Sequence, residues 1–217
     1  MPHISYSQNL STEIDRISNA LPGFTCGLCP APIRYRHRWH RDLLIQAVLD
    51  PDIEGLEPLA DRTLQFAFVI RRGTVRAVVV ALHDDMPRPP VEGSLPVIYI
   101  QRSNVVREPI VGAARAVWAT RRYPVSATDR VRILATFDRS RQKSLRDLAS
   151  EVRVPAEGVD AVLSLVCQGT LAIRLQDGLS PDTKVSLRGP TSRPSLELGR
   201  TCEEVASPLR RPDGHDR

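Results

Sequence analysis

The chain has 217 residues, of which 41% are hydrophobic and 25% are charged. This is the composition of a globular protein with one domain or two small ones. No stretch of about 18 apolar residues occurs, which excludes a membrane-spanning helix. The N-terminus has no basic start followed by an apolar run, and four residues are cysteine. The sequence therefore predicts a cytoplasmic protein with free thiols.

Arginine dominates the charge of the chain. The formal net charge is +5, and only two of the 30 basic residues, Lys143 and Lys184, are lysine. A guanidinium group donates bidentate hydrogen bonds to phosphate, which favours a nucleic-acid partner. A coding bias toward arginine explains the same composition, so the placement of the basic residues matters more than their total.

The first half of the chain predicts a small α/β sheet after a lead-in over residues 1–34. The lead-in holds a short helix that starts near Ser11 and stops before Pro22. Apolar spacings of three and four then predict a helix, and β-branched runs around Gly73 predict a hairpin. The predicted elements are a helix over 37–50, strands over 63–70, 75–82 and 95–100, and a helix over about 105–120.

The second half predicts three short helices followed by two strands, which is the order of a winged helix-turn-helix. Ser126 and Ser144 each precede an aspartate by three residues, a pattern typical of a helix start. The predicted elements are helices over about 126–138, 144–152 and 155–168, and strands over 170–175 and 183–187. Four prolines interrupt the polar stretch 188–217, which predicts a disordered tail.

The run Trp39-His40-Arg41-Asp42-Leu43-Leu44, followed by Leu49-Asp50-Pro51-Asp52-Ile53 and Glu57-Pro58, resembles the opening of TnsA-type transposon endonucleases. The resemblance covers residues 35–187. It implies a small restriction-endonuclease-like mixed sheet flanked by helices over 35–122, followed by a winged helix-turn-helix-like α domain over 123–187.

The same resemblance implies that the nuclease chemistry is lost. Enzymes of this class hold a divalent metal with a helix Glu, a strand Asp and a Glu/Gln-x-Lys on the next strand. In this chain the helix Glu falls on His40, the strand Asp on Ala67, and the last pair near Val79 and Ala81. Apolar side chains cannot bind Mg²⁺, which needs oxygen ligands. We therefore expect no catalytic residue, no metal and no cofactor.

Other carboxylates leave open the interpretation that the chain is an active metal nuclease. Glu57, Asp84 and Asp85 would form an alternative metal site if the hairpin brought them together. The competing interpretation is that these charges solvate the ends of loops.

Cys26 and Cys29 have the spacing of half a zinc site. A structural zinc needs four ligands, and His37 and His40 at i, i+3 could complete the set. Two free loop thiols are the competing interpretation. A thioredoxin-like role is disfavoured, because no clear strand precedes the pair and no helix follows it directly.

The strongest electrostatic feature is an excess of basic residues over 121–153. The third predicted helix carries Glu157 and Asp160 and no basic residue, with only Ser164 and Gln168 as polar groups able to read bases. We therefore expect contacts to DNA phosphates rather than to bases, with docking to a protein as the alternative. The predicted DNA-binding residues are Arg139, Arg141, Lys143, Arg146 and Arg153.

Together these features predict a catalytically degenerate TnsA-like protein that binds DNA or a recombination or transposition partner. The alternative is a winged-helix DNA-binding regulator whose N-terminal domain forms a homodimer. The two hypotheses differ in whether the chain binds any duplex or selects an operator.

Overall fold

The computed structural model describes residues 21–59, 64–138 and 140–189. The predicted helix near residue 11 and the predicted tail from residue 190 onward lie outside these ranges. Within them the chain is a mixed α/β protein, as the sequence predicts. No helix of the described part has both the length and the apolar character needed to cross a bilayer.

A small hairpin and the first helix lead into the main sheet. Strands β1 (Gly23–Phe24) and β2 (Ile33–Arg34) pair in antiparallel fashion. Helix α1 spans Arg38–Leu49, close to the predicted bounds, and buries nine of its residues. It ends at Asp50 because the next residue, Pro51, disfavours helical geometry at the position before it.

The main sheet has four strands in the order β3-β4-β5-β6. The first three are antiparallel neighbours, and β6 runs parallel to β5. β5 has its predicted bounds, β4 starts four residues later than predicted, and β3 was not predicted. The strands are β3 (Gly55–Pro58), β4 (Ala67–Arg72), β5 (Val75–Leu82) and β6 (Val97–Gln101).

The helix predicted over about 105–120 is two helices, α2 (Arg102–Val105) and α3 (Ile110–Ala119). Pro109, at the N-cap of α3, has no N–H with which to continue the first helix. Helices α1 and α3 pack together on one face of the sheet. The other face is covered by the loop 83–96, to which Tyr99 of β6 is tied by a 2.6 Å hydrogen bond from its hydroxyl to the Pro89 carbonyl.

The C-terminal elements surround a second, three-stranded antiparallel sheet of order β7-β9-β8. Both predicted helix starts are confirmed, since the Ser126 and Ser144 side chains accept hydrogen bonds from Asp129 N and Asp147 N. The elements are α4 (Ala127–Ala135), β7 (Gln142–Ser144), α5 (Leu145–Ser150), α6 (Gly158–Cys167), β8 (Leu171–Ile173) and β9 (Lys184–Leu187).

One apolar core joins the two halves of the chain. Its contacting residues range from Phe24 in β1 to Val185 in β9. Within this core, α6 packs against α1, α3 and α5. Arg188, the first residue of the predicted tail, is also anchored. Its guanidinium donates to the carbonyls of Val48, Asp50 and Ile53 at 3.3, 2.9 and 2.5 Å, at the end of α1. The ordered chain therefore extends past the predicted boundary at residue 187.

Candidate functional site

Two of the positions that the family resemblance equates with a nuclease centre, His40 and Ala81, both contact Phe66, whereas a third, Ala67, does not lie with them. His40 of α1 stacks on Phe66, with 4.2 Å between ring centroids and 7° between planes. Ala81 of β5 donates a 3.0 Å hydrogen bond to the Phe66 carbonyl. Val79 and Ala81 share this helix-facing core, whereas Ala67 packs into the opposite face of the sheet. The residue that stacks on His40 is therefore Phe66, just before β4, and not Ala67 as the resemblance suggests.

The His40 side chain is buried among apolar core residues. His40 is 1% exposed, and both of its ring nitrogens lack a partner among the described residues. Burial lowers the pKa of His40 to about 3, and the nearby charges of His37, His83 and Arg36 add to the effect. The imidazole is therefore neutral at physiological pH and too weak a base to activate water.

Three further rings surround His40. His37 lies 5.0 Å from it and 5.7 Å from His83, while Trp39 lies 5.4 Å from His83, all as ring-centroid distances. In the part of the chain that the structure describes, no three His, Cys, Asp or Glu side chains are arranged to hold a metal ion. The rings of His37, Trp39, His40 and His83 therefore form an aromatic cluster beside the end of β5.

The aspartate of the family-like run has a structural role. Asp42 lies one turn from the N-terminus of α1, and its side chain is 1% exposed. Arg115 of α3 donates to both of its oxygens, at 3.0 and 2.6 Å. This bidentate pair joins α1 to α3 and leaves the carboxylate no free oxygen for a cation.

The alternative metal site is not formed, so that hypothesis is wrong. Glu57 binds Arg76, near the start of β5, at 2.5 Å. Asp84 and Asp85 follow the end of the same strand, whose residues rise about 3.3 Å each. Asp84 accepts a 2.9 Å hydrogen bond from the Ser103 N–H, which together with that residue's side chain holds the pKa of Asp84 below its usual value. Glu57 and Asp84 therefore bind separate partners, Arg76 near the start of β5 and Ser103 beyond its end.

Three of the predicted DNA-binding residues lie together on one edge of the second sheet. Arg141 is exposed, Lys143 is half-buried in β7, and Arg146 is exposed on the first turn of α5. Arg146 lies 3.8 Å from Asp182, and both side chains are more than two-thirds exposed. Arg141 and Lys143 have no ion pair within the described part of the chain, although the charge of Lys143 contributes to lowering the pKa of Asp147, after the larger effect of the hydrogen bonds from Ser144. We call these three residues the basic edge.

The other two predicted residues are not part of the basic edge. Arg139 lies outside the described residues. Arg153 follows the far end of α5, where its backbone N–H donates to Asp129 at 3.0 Å. Arg132 and Arg153 together lower the pKa of Asp129, after the larger contribution of its hydrogen bonds to Ser126 and the Arg153 N–H. The four predicted DNA-binding residues that the structure describes therefore divide between the basic edge and Arg153, which lies past the other end of α5.

The two polar residues that the sequence offers as base readers, Ser164 of α6 and Gln168 just after it, differ in exposure, since Gln168 is exposed and Ser164 is not. Ser164 is fully buried and its hydroxyl donates to the Tyr123 carbonyl at 2.8 Å. Gln168 accepts a hydrogen bond from Arg130 and donates one to the Ser164 hydroxyl at 3.1 Å. Sequence alone did not reveal this, because the burial arises from packing of α6 against the first half of the chain.

A cleft of about 670 Å³ lies over the second sheet, but its charges balance. Small or polar side chains such as Gln142 and Ser186 line the cleft beside the strands. Since cations and carboxylates are equal in number around it, the cleft does not select an anionic ligand over a cationic one. The charged lining residues are Arg174, Lys184, Arg188, Asp52, Asp177 and Asp182.

Comparison of the chain with protein-family models, with curated proteins and with solved structures gives no match. The resemblance to TnsA-type endonucleases therefore stays a prediction from the sequence.

Proposed function

We propose that this chain is a catalytically degenerate, TnsA-like nuclease scaffold that binds duplex DNA through phosphate contacts. The observation that carries the proposal is the convergence of His40, Phe66 and Ala81 at one place between α1 and the hairpin. The resemblance equates His40 and Ala81 with metal-holding positions of an active enzyme, and Phe66 stands next to Ala67, the residue equated with the strand Asp. Here His40, Phe66 and Ala81 meet as a neutral imidazole, a phenyl ring and a methyl group.

The sheet order supports a restriction-endonuclease-like core. The predicted hairpin, β4 and β5, forms the two inner strands of the order β3-β4-β5-β6. The resemblance requires central strands at this place, preceded in the chain by a helix. Helix α1 comes before the sheet and packs on it through one apolar face, which is the arrangement that lets a helix residue approach the strand ends.

The second half supports a winged helix-turn-helix module with an unusual mode of contact. The order α4, β7, α5, α6, β8, β9 and the sheet order β7-β9-β8 are typical of that module. In the usual arrangement its third helix enters the major groove. Because α6 is buried, we propose that the basic edge contacts the DNA backbone instead.

Burial of α6 also weighs against the alternative hypothesis. A regulator that selects an operator needs side chains at base edges. Ser164 is fully buried, and Gln168 is engaged by neighbouring side chains. We therefore propose DNA binding without sequence preference, by the chain alone or beside a recombination partner. The proposed location is the cytoplasm.

Incubation of the purified chain with supercoiled plasmid, in the presence of Mg²⁺ or Mn²⁺, tests both parts of the proposal in one gel. We expect retarded plasmid and no nicked product, since no three His, Cys, Asp or Glu side chains in the described ranges are arranged to hold a metal ion. The matched variants are Glu57→Ala and Asp84→Ala. Nicking that disappears in either variant would overturn the loss of catalysis, and plasmid that is not retarded even at low salt would overturn DNA binding.

A further inference from the structure

The N-terminal hairpin holds two thiols in contact. Between β1 and β2, Cys29 N–H donates to the Cys26 carbonyl at 3.1 Å, which closes a tight turn. The turn brings the two Sγ atoms to 3.1 Å from each other. Both residues are half-buried, so reagents reach them from solution. No third metal ligand accompanies them in the described ranges, which leaves a structural zinc site incomplete.

The surroundings of the pair distinguish its two members. The hydrogen bond between the two sulfurs is the largest cause that lowers the pKa of Cys26 to about 7, which favours Cys26 as the thiolate and Cys29 as the donor. Backbone N–H groups of the turn and the positive charge of Arg188 lower it further, against the effect of burial. The same contact raises the pKa of Cys29. One sulfur is therefore a ready nucleophile and the other keeps its proton.

Arg188 is held rigidly beside this turn. The same guanidinium binds the backbone carbonyls at the end of α1, so its position does not depend on the thiolate. The turn is tied to the main sheet as well, because Leu56 N–H of β3 donates to the Leu28 carbonyl at 2.9 Å. A fixed cation and a fixed turn preserve the approach of the two sulfurs.

Cys167 provides the contrast within the same chain. It lies between α6 and α3, where its thiol donates to the Val117 carbonyl at 3.2 Å. Burial raises the pKa of this thiol to about 11. It therefore has the properties of a structural, unreactive cysteine.

We propose that Cys26 and Cys29 form a redox-active dithiol that exchanges with small disulfides of the glutathione type. The Cys26 thiolate attacks one sulfur of the disulfide, the S–S bond breaks, and one glutathione thiolate leaves. Cys29 then loses its proton to solvent and attacks the Cys26 sulfur, which releases the second glutathione thiolate. The protein loses two electrons and gains an internal disulfide, while one external disulfide becomes two thiols. This site is independent of DNA binding.

The test uses the full chain with Cys167→Ser and Cys202→Ser, so that only the pair remains. The protein is equilibrated in buffers of reduced and oxidised glutathione, quenched in acid and alkylated. The mass of the intact chain is then measured by mass spectrometry. We expect one transition in which the chain loses two hydrogen atoms and two alkylation sites together. In the matched variant that also carries Cys29→Ala, a single glutathione adduct should accumulate, because no second thiol resolves it.

A second readout separates reactivity from mere proximity. In the otherwise unchanged chain at pH 7, iodoacetamide should modify Cys26 at least about tenfold faster than Cys167. Three results would overturn the proposal: a pair that stays reduced in every buffer, equal alkylation rates at Cys26 and Cys167, or one tightly bound zinc per chain that protects both thiols until a chelator removes it.

Discussion

Replacement of His40 by phenylalanine tests whether this histidine lies neutral in an apolar core. The native ring stacks on Phe66 with two unpartnered nitrogens, and a phenyl ring keeps the stacking and removes both. An unsatisfied buried polar group costs about 1–3 kcal/mol, so we expect His40→Phe to be more stable than the native chain at pH 7 by up to this amount.

The pH dependence gives the sharper magnitude. The pKa of His40 is about 3 in the folded chain, whereas that of an unfolded histidine is about 6.5. Below about pH 6.5 the unfolded chain binds a proton that the folded chain does not, so this residue makes the free energy of unfolding fall as the pH is lowered. Between pH 7 and pH 5 the loss amounts to about 2 kcal/mol. The His40→Phe variant should not show it.

The assay is urea unfolding followed by circular dichroism at both pH values. The native chain should lose about 2 kcal/mol more than His40→Phe on going from pH 7 to pH 5. The control is His37→Gln, which removes an exposed histidine of the same cluster and should keep most of the native pH dependence, because burial is the largest cause of the low pKa of His40. An equal loss in the native chain and in His40→Phe would refute the buried, neutral histidine.

Two further substitutions test the packing within each half of the chain. A Cβ at Gly158 would lie 2.2 Å from the Ala149 carbonyl oxygen, so Gly158→Ala should destabilise the chain by about 3 kcal/mol. The control is Gly27→Ala, whose Cβ would meet nothing within 4 Å. Equal urea midpoints for the two variants would contradict the contact at Gly158. Arg115→Ala leaves the buried Asp42 carboxylate unpaired and should lower the free energy of unfolding by about 1–3 kcal/mol, less than for a fully buried pair because Arg115 is partly exposed. No change in the same assay would show that the pair is not needed.

Periodicity predicts the elements whose pattern is local. Helix α1 and strand β5 follow directly from apolar spacing, and the starts of α4 and α5 follow from Ser126 and Ser144 with their aspartates. Strand β3 is four residues long and ends in Pro58, so it carries too little pattern to detect. It exists because its backbone pairs with β4, a contact that the sequence does not display.

The candidate site shows the same division between local and long-range information. The absence of carboxylates from the hairpin is visible in the sequence, and so is the excess of basic residues around Arg146. The stacking of His40 on Phe66 and the placement of Arg188 beside Cys26 join residues far apart in the chain. The burial of α6 likewise depends on a partner helix from the other half, which no pattern within α6 can reveal.

The salt dependence of duplex binding tests the central claim most directly. Anisotropy of a fluorescein-labelled duplex is titrated with the full chain from low to physiological salt, using two unrelated sequences. If about four phosphates are neutralised, log affinity should fall with log salt at a slope of about −3 to −4, equally for both duplexes. Arg141→Ala with Arg146→Ala should reduce that slope by about two units, whereas the exposed pair Arg88→Ala with Arg107→Ala should leave it unchanged. No binding at low salt, or the same loss in both double variants, would contradict a DNA-binding basic edge.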